Sequence, residues 1–450
     1  MVIFKASHIV KPAKALPENI VSLSEFDQFM PLTLTPTIYF YRPTNQELLK
    51  DAIHILKDSL SKALVKFYPL AGRLHWTTGG RVELHCNSKG VLLIEAESEL
   101  KIDDFGDFCP SPEIVSLIPS ADYTITPIEE LPLLLVQLTK LNCGNIISLG
   151  LAISHIVADG QSALRFLSEW TKIARGSTEL DDDDDLFLDR TILQPNEHQD
   201  DLALPTLNYS DFYPLPLVIG QTNNLEERKK ATTAKMLQLS KDQVEKLKKK
   251  ANQHQDQHEF SRFEAISAHI WKCMSTARRL KPEQETVLYM HLNFRNRLKT
   301  PLPKGYFGNT VLVVPITAMV GDLLTNPLGY TSSKIRAAIE NVTDEYVRSS
   351  IACMKKIPDV SSSRYFHTVG CTQGSFYGNP NLTITSWIGL PLYGANFGWG
   401  DEIYMGPGSV AYDGKVFIIP SHNGDGSLAV PIRLQVEHMD AFEKYFYGEI

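Results

Sequence analysis

The residue pattern with the clearest chemistry is a histidine, His155, followed by Asp159 and Gly160. An imidazole at the exit of a strand is held by the backbone and faces open space, which suits a general base. The apolar residues 145–153 predict a buried strand before it, and residues 161–175 predict a helix with one apolar face after it. Asp159 therefore stands at the expected helix N-cap, so the pattern also fits a buried histidine beside ordinary cap and turn chemistry.

A second pattern lies near the C-terminus, where Asn396 opens the sequence Asn-Phe-Gly-Trp-Gly. Gly398 and Gly400 flank Trp399 in this segment. Glycine adopts the backbone conformations that tight turns need, and aromatic rings anchor such turns to a core. The pattern predicts a structural turn whose aromatic side chains pack inward.

Taken together, the two patterns resemble the signatures of the BAHD family of plant CoA-dependent acyltransferases, His-x-x-x-Asp-Gly and Asp-Phe-Gly-Trp-Gly. Other segments match in the family's own order, and they begin at Tyr39, Phe67 and Tyr306. The likeness extends from the N-terminus to Ile450. It implies the α/β class, with two similar-sized domains of mixed β-sheets flanked by helices, like chloramphenicol acetyltransferase. It also implies an active-site channel at the domain interface, with His155 beside it.

Strand-like and helix-like segments alternate in both halves of the chain, which by itself indicates an α/β fold with mixed sheets. An acidic run at 181–185 and a proline-punctuated stretch at 195–216 separate the halves. We therefore predict an N-terminal acyltransferase domain over residues 1–185, which carries the histidine motif. A crossover loop over 186–225 and a C-terminal acyltransferase domain over 226–450, which carries the Asn-Phe-Gly-Trp-Gly turn, complete the prediction.

Composition limits the classes of partner. The chain has 450 residues, of which 43% are hydrophobic, and a formal net charge of -8. That length supports two hydrophobic cores, and the negative charge argues against nucleic acid as a partner. Six cysteines are scattered without Cys-x-x-Cys spacing, so we expect neither a metal site nor disulfides. The sequence shows no signal-like or membrane-spanning apolar stretch, and we expect a cytoplasmic monomer with no membrane partner.

Acyl transfer from a thioester requires a base for the nucleophile, donors for the tetrahedral oxyanion and a proton for the departing thiolate. His155 can remove the first proton as a neutral imidazole and return it to the coenzyme A sulfur. The sequence has no Gly-x-Ser-x-Gly elbow and no Cys–His pairing motif for an acyl-enzyme. We therefore predict direct attack of an amine or hydroxyl within a ternary complex, with acyl-CoA as co-substrate and no permanently bound cofactor.

Further catalytic and structural roles follow from the family resemblance alone. It implies that the indole N–H of Trp387 and the hydroxyl of Thr385 are donors toward the oxyanion or the acceptor. It also implies that the aspartate of the histidine motif points away from the imidazole and pairs with an arginine. That arginine is expected to be Arg295 or Arg297, and Asp159 then holds the loop rather than taking part in catalysis.

Two residues depart from the family pattern. Asn396 and Asn293 stand where the family usually has aspartate. Each replacement removes a negative charge but keeps a hydrogen-bonding oxygen. We expect activity to be retained and electrostatic pairing with the arginines to be weakened.

Substrate-binding residues are inferred from family-like positions. The phosphates of coenzyme A need cationic and polar partners, which we expect from the second half of the chain. The candidates are Ser261, Arg262, Lys304 and Asn309. Thr37 and Tyr39 lie on the strand that faces the acceptor in the family, and they are candidates to line the acceptor pocket.

The likeness is closest to spermidine hydroxycinnamoyl transferases, which favours an aromatic acyl donor, hydroxycinnamoyl or benzoyl, and a spermidine-type polyamine acceptor. Transferases of shikimate or quinate hold the acceptor carboxylate with an arginine ahead of the Ser-Trp segment. Residues 365–414 contain no lysine or arginine. This absence disfavours a carboxylate acceptor.

The polyamine prediction has competitors. Gln373 stands where polyamine-acylating relatives commonly have a glutamate, and an unpaired cation in a partly dry channel is costly. O-acylation of an alkaloid alcohol, such as the tropane methylecgonine with benzoyl- or cinnamoyl-CoA, therefore remains open. A catalytically silent relative that only binds a ligand is an alternative of another class. The intact His155, Thr385 and Trp387 argue against it.

Overall fold

The computed structural model describes residues 1–43, 46–123, 125–142, 145–177, 186–194, 225–253, 259–365 and 376–450. Within these residues the strands are β1 (Val2–Val10), β2 (Asn19–Val21), β3 (Leu34–Tyr41), β4 (Arg73–Trp76), β5 (Val82–Cys86), β6 (Val91–Ser98), β7 (Leu134–Leu141), β8 (Ile147–Ser154), β9 (Thr232–Leu239), β10 (Glu285–Asn293), β11 (Val311–Met319), β12 (Leu382–Ser386), β13 (Glu402–Pro407), β14 (Lys415–Pro420) and β15 (Leu428–Gln435). The α-helices are α1 (Glu25–Gln28), α2 (Gln46–Lys66), α3 (Pro112–Ser116), α4 (Gly160–Ala174), α5 (Leu225–Lys229), α6 (Lys241–Ala251), α7 (Arg262–Ala277), α8 (Val320–Thr325), α9 (Leu328–Glu340), α10 (Asp344–Lys355) and α11 (Val436–Gly448).

The first large sheet is built mainly from the N-terminal half of the chain. Across the described residues its strand order is β1-β6-β7-β8-β3-β13, in which β6 and β7 run parallel and the other neighbours run antiparallel. Every residue of β8 is buried. Leu149 and Leu151 pack in a core shared with α2 and α4, whereas Ala152 packs in a core shared with α3 on the opposite face. A strand covered on both faces is a continuous apolar run, as the sequence indicated.

The second large sheet belongs to the C-terminal half. Its order, in the part of the chain that is described, is β11-β10-β12-β14-β15-β9. The central strands β10, β12 and β14 run parallel, and the outer neighbours run antiparallel. Helix α7 covers this sheet, and its Trp271 is fully buried. Both large sheets are therefore mixed and flanked by helices, which confirms the predicted α/β class.

One segment of the C-terminal half crosses into the first sheet. Strand β13 pairs with β3, and Met405 lies opposite Tyr39. The Asn-Phe-Gly-Trp-Gly turn precedes it, with Trp399 edge-on to Tyr41 at 5.4 Å and Phe397 edge-on to Trp170 at 4.9 Å between ring centroids. The predicted assignment of this turn to a C-terminal domain over residues 226–450 stays a prediction. In the structure the turn's aromatic rings pack in the core of the first half.

The start of the predicted crossover loop is also tied to both halves. Residues 186–194 are described, whereas the rest of the loop up to residue 224 lies outside the described residues. Phe187 forms a parallel bridge with Tyr306. Arg190 pairs with Asp27 at 3.0 Å, and both side chains are completely buried. A guanidinium of Arg190 also donates to the Val157 carbonyl at 2.7 Å, next to the histidine motif.

The described residues bear on three kinds of feature: membrane-spanning helices, metal sites and reactive cysteines. The described residues contain no helix long and apolar enough to cross a membrane. They also contain no group of three or more histidine, cysteine, aspartate or glutamate side chains suited to a metal ion. The thiols of the described cysteines are unbridged, and burial raises the pKa of each: Cys86, Cys109, Cys273 and Cys353. Their nucleophilic thiolate forms are thus disfavoured at neutral pH.

The contribution of the crossing segment can be measured with Trp399→Ala. We expect the free energy of unfolding to fall by about 3–5 kcal/mol, because the variant leaves a cavity in the first core. Trp76→Ala is the matched control, since Trp76 is 43% exposed, and it should cost less than about 1 kcal/mol. Urea unfolding followed by circular dichroism measures both values. Equal losses in the two variants would contradict a core role for the turn.

Candidate active site

A cavity of about 1370 Å³ lies between the two halves of the protein. His155, which directly follows β8, lines it together with Thr37 and Tyr39 of β3. Thr385, on β12, and Trp387, just beyond that strand, line it from the second half. The structure thus brings into one cavity the three predicted catalytic residues and two of the predicted acceptor residues. The third, Gln373, lies outside the described residues.

The backbone holds His155 from two sides. Its N–H donates to the carbonyl of Thr33 at 3.0 Å, and its carbonyl accepts from the Asn309 side-chain amide at 2.8 Å. The same amide donates to the Ile156 carbonyl at 3.2 Å. These contacts fix the backbone where β8 ends and α4 begins, so the imidazole has a defined position on the cavity wall.

The environment keeps the imidazole neutral. Burial is the main cause that lowers the pKa of His155 below its ordinary value, and the ammonium of Lys415 acts in the same direction. The ring's own backbone carbonyl, Asp159 and Asn309 oppose this shift without reversing it. A neutral imidazole can accept a proton at physiological pH, which is the property that a general base needs.

Asp159 is directed toward Arg295. Its Oδ2 accepts from Nη1 at 2.7 Å and its Oδ1 from Nη2 at 3.0 Å. Oδ1 also caps α4 by accepting from the Ser162 N–H at 2.9 Å, and Oδ2 accepts from the N–H and hydroxyl of Thr310 at 3.1 and 3.0 Å. Burial raises the pKa of Asp159, but the Arg295 charge and these hydrogen bonds outweigh it and lower the pKa. The carboxylate is therefore ionised and structural.

Arg297, the other predicted partner of Asp159, has different hydrogen-bond partners. Its Nη1 donates to the backbone carbonyls of Ile339 and Val342 at 2.7 and 3.1 Å. Arg295 and Arg297 are close in sequence, yet the short loop after β10 sends their side chains to different places. Spacing alone could not choose between them.

The two asparagines that replace the family's aspartates use both ends of their amides. Asn293 accepts from the Arg295 backbone N–H at 2.9 Å and donates to the Gln161 side chain at 3.0 Å. Asn396 accepts from the N–H groups of Gly398 and Gly400 at 2.8 and 3.3 Å. The expected weakening of pairing with the arginines does not affect Asp159, which keeps its ion pair with Arg295. Asn293 and Asn396 instead stabilise the turns in which they themselves lie.

Thr385 is the centre of a polar chain that the sequence did not reveal. The ammonium of Lys415 donates to its hydroxyl at 2.6 Å, and that hydroxyl lies 3.0 Å from Nδ1 of His291. Burial, and then the Lys415 charge, lower the pKa of His291 well below its ordinary value, so this ring is neutral. The hydroxyl thus already has two partners in this structure, and its predicted role as a donor toward the oxyanion or the acceptor stays a prediction.

Trp387 and Tyr39 form opposite parts of the cavity wall. The backbone N–H of Trp387 donates to the Ile418 carbonyl at 2.8 Å, and its indole packs edge-on against Phe417 with centroids 5.3 Å apart. Tyr39 is almost fully buried, and burial is the main cause that raises its pKa. Its phenol therefore stays protonated in the cavity wall.

Comparison with known proteins agrees with this geometry. Residues 1–448 match the model of the Transferase family. The chain is 47% identical to hydroxycinnamoyl-CoA:piscidic acid hydroxycinnamoyltransferase of Actaea racemosa, with 100% of both chains covered. It is 40% identical to shikimate O-hydroxycinnamoyltransferase of Nicotiana tabacum, with 98% of each chain covered.

The chain belongs to the BAHD acyltransferase family. Its fold matches the crystal structure of vinorine synthase with a TM-score of 0.73 at 21% identity, which covers 100% of this chain and 98% of that one. The predicted family and the prediction of an acyltransferase enzyme are confirmed. These two relatives are named for piscidic acid and shikimate, so a special likeness to spermidine transferases stays a prediction.

The predicted coenzyme A residues of this BAHD acyltransferase lie in different places. Lys304 lines the cavity. Ser261 is the N-cap of α7, where its hydroxyl accepts from the Glu264 N–H, and the exposed Arg262 follows it; neither lines the cavity. Asn309 is fully buried, and its amide donates to Asp27 at 2.8 Å as well as to the His155 loop. Asn309 thus holds the loop of His155 in this structure, and its predicted role in binding coenzyme A stays a prediction.

Two cavity cations on α4 were missed by sequence reasoning. Arg165 and Lys172 of α4 line the cavity beside Lys304, and Arg165 donates to the Lys304 carbonyl at 3.0 Å. The helical period of α4 could have shown that they share a face with residues near the histidine motif. It could not have shown that Lys304 lies against that face.

The Asp159–Arg295 pair predicts a pH-dependent defect in Arg295→Met. Removal of one partner from a buried pair costs about 3–5 kcal/mol at pH 7.5. In wild type the lowered pKa of Asp159 contributes stability above the unfolded-state pKa, and this is lost as pH falls through the folded-state pKa. Without the arginine, burial raises that pKa instead, so protonation at pH 5 should reduce the deficit by at least about 1 kcal/mol.

Arg297→Met is the matched control, because Arg297 bonds only carbonyl groups among the described residues. Its deficit should be the same at both pH values. Urea unfolding of the two variants and wild type at pH 7.5 and pH 5 makes the comparison. A deficit in Arg295→Met that does not change with pH would contradict the assigned pairing.

Proposed function

We propose that this enzyme transfers an aromatic acyl group, hydroxycinnamoyl or benzoyl, from coenzyme A directly to a hydroxyl or amine of a small acceptor. The observation that carries this proposal is the neutral, backbone-fixed imidazole of His155 on the wall of a cavity large enough for two substrates. The Actaea racemosa and Nicotiana tabacum relatives, both named as hydroxycinnamoyltransferases, support the class of acyl donor.

In the proposed reaction, His155 takes the proton from the acceptor hydroxyl or amine as that atom attacks the thioester carbon. The carbonyl electron pair moves to oxygen and gives a tetrahedral oxyanion. The pair then re-forms the carbonyl as the carbon–sulfur bond breaks, and His155 returns the proton to sulfur. The products are an ester or amide and free coenzyme A thiol. The Trp387 indole, on the cavity wall, is the proposed donor to the oxyanion.

A direct transfer is favoured over an acyl-enzyme. Cys353 is the only described cysteine that lines the cavity. Burial raises the pKa of its thiol, whereas a cysteine nucleophile needs a lowered pKa. Among the described residues, the His155 ring forms no hydrogen bond to a serine or cysteine. The acceptor itself is therefore the proposed nucleophile.

The polyamine acceptor predicted from the sequence has little support in the cavity. Asp159 and Glu169 are the only carboxylates among the described residues that line it. Asp159 is paired with Arg295, and Glu169 is paired with Lys172 at 3.1 Å. A polyammonium substrate, or a protonated tropane alcohol, would lack a free counter-charge there. We therefore propose an acceptor that is not a polycation.

The activity test is a thiol-release assay with cinnamoyl-, coumaroyl-, caffeoyl- and benzoyl-CoA against shikimate, spermidine and a tropane alcohol. His155→Ala should lower kcat about 10²- to 10⁴-fold, because the general base is lost. Binding of acyl-CoA, measured by calorimetry, should persist in the variant. Turnover by His155→Ala at the wild-type rate, or no turnover of any pair by wild type, would overturn the proposed function.

A second test separates direct transfer from an acyl-enzyme. Cys353→Ala should keep kcat/KM within about twofold of wild type, since the thiol takes no part in the reaction. Intact-mass measurement after mixing wild type with acyl-CoA alone should show the unmodified chain. Direct transfer would be contradicted if wild type formed an adduct of one acyl mass and Cys353→Ala did not.

A further inference from the structure

Lys415 is an unusual cation on the cavity wall. It opens β14, lines the cavity and is only 9% exposed. Its ammonium lies over the rings of Phe417 and Tyr412, 4.9 and 5.9 Å from the centroids. It donates to the neutral hydroxyl of Thr385, and no carboxylate among the described residues lies within ion-pair distance of it. A lysine in such a place lacks a counter-charge.

Other buried cations of this protein have several acceptors. The guanidinium groups of Arg190, Arg278 and Arg295 each pair with a buried carboxylate. Those of Arg73 and Arg364 have no carboxylate partner among the described residues, but each donates to two backbone carbonyls. Lys415 has three N–H donors, and the described residues account for one of them. Burial lowers its pKa to about 7. Without a ligand, the site therefore stabilises the ammonium charge poorly. An anion that enters the cavity would supply the missing counter-charge.

We propose that Lys415 binds the carboxylate of the acyl acceptor, so that the acceptor is a small carboxylic acid that also bears the hydroxyl or amine to be acylated. This inference rests on the proposed function and names the substrate class of the same site. The charged hydrogen bond would hold one end of the acceptor and leave its nucleophile free to face His155. Lys415 is then a specificity-determining residue, and the chemistry of transfer stays with His155.

The positions of the surrounding groups support this arrangement. The Lys415 ammonium is close enough to lower the pKa of both His155 and His291, so anchor and base share one region of the cavity. Strands β12 and β14 are parallel neighbours, and Thr385 holds the ammonium from the adjacent strand. His291, on β10, fixes that threonine from the other side. The Lys415 anchor is therefore positioned by three adjacent strands of one sheet, β10, β12 and β14.

This proposal reverses an argument made from the sequence. The lack of lysine and arginine in residues 365–414 disfavoured a carboxylate acceptor. The cation comes from Lys415, the first residue beyond that interval, because the strand that carries it lies beside β12. The relatives named for piscidic acid and shikimate are consistent with an acid as acceptor.

The experiment compares each free acid with its own methyl ester, which differs by the charge that Lys415 would bind. Wild type and Lys415→Met are assayed with coumaroyl-CoA and shikimate, anthranilate or tartrate, or with the corresponding methyl esters. We expect wild type to prefer at least one acid over its ester. In Lys415→Met the acid-to-ester ratio of kcat/KM should fall about 10- to 100-fold, mainly through KM for the acid. Lys415→Arg, which keeps the charge, should retain more of the ratio.

Lys235→Met is the matched control, since Lys235 lies on β9 of the same sheet, pairs with Glu443 and does not line the cavity. Its acid-to-ester ratio should equal that of wild type. Thermal unfolding checks the fold of Lys415→Met, whose melting temperature should not fall, because an uncompensated buried charge is removed.

The possible results separate this inference from the proposed function. An unchanged acid-to-ester ratio in Lys415→Met overturns the anchor while acyl transfer stands. Acylation of spermidine or the tropane alcohol, with no acid accepted, also overturns it. Failure of wild type with every acceptor overturns the proposed function itself. A ratio that collapses in Lys415→Met but not in Lys235→Met supports the anchor.

Discussion

The ion pair between Asp159 and Arg295 joins the two halves of the protein directly behind His155. The aspartate belongs to the loop between β8 and α4, and the arginine follows β10 in the other half, with contacts of 2.7 and 3.0 Å. A buried pair of this kind adds little net stability, but it tolerates only one geometry. The same carboxylate caps α4 and accepts a hydrogen bond from Thr310, so it links the backbone around His155 to the second half.

Burial in the cavity wall next to this pair shifts protonation in a consistent way. Burial lowers the pKa of the imidazoles of His155 and His291 and of the ammonium of Lys415. For His155, this produces a neutral imidazole at physiological pH. For the lysine, it produces a cation that is poorly stabilised by the protein alone. Both properties follow from desolvation, and both agree with the proposed acyl transfer to an acid.

The two halves cannot be treated as separate units. Strand β13 from the second half completes the first sheet, and the aromatic rings of Phe397 and Trp399 fill its core. In the opposite direction, Arg190 of the crossover segment is buried against Asp27 and reaches the carbonyl of Val157. These exchanges connect the two cavity walls, because separating the halves would expose apolar core.

Much of the fold and part of the site were determined by the sequence itself. The buried strand before His155, the helix after it, the N-cap at Asp159 and the aromatic turn depend on local spacing and burial, which a sequence states directly. The alternation of strands and helices indicated the α/β class, and the family resemblance added the cavity between two halves. The tertiary structure alone chose Arg295 over Arg297, placed Asn309 behind His155 and packed the turn into the first core.

Lys415 shows the physical reason for this division. It lies thirty positions from Thr385 in sequence, yet its ammonium is 2.6 Å from the threonine hydroxyl. A periodic pattern specifies which face of a strand a side chain takes, but the identity of the neighbouring strand is set by the packing of the whole sheet. The sequence therefore determined the position of His155 and the elements that hold it. Only the tertiary structure decided which charged side chains meet it across the cavity.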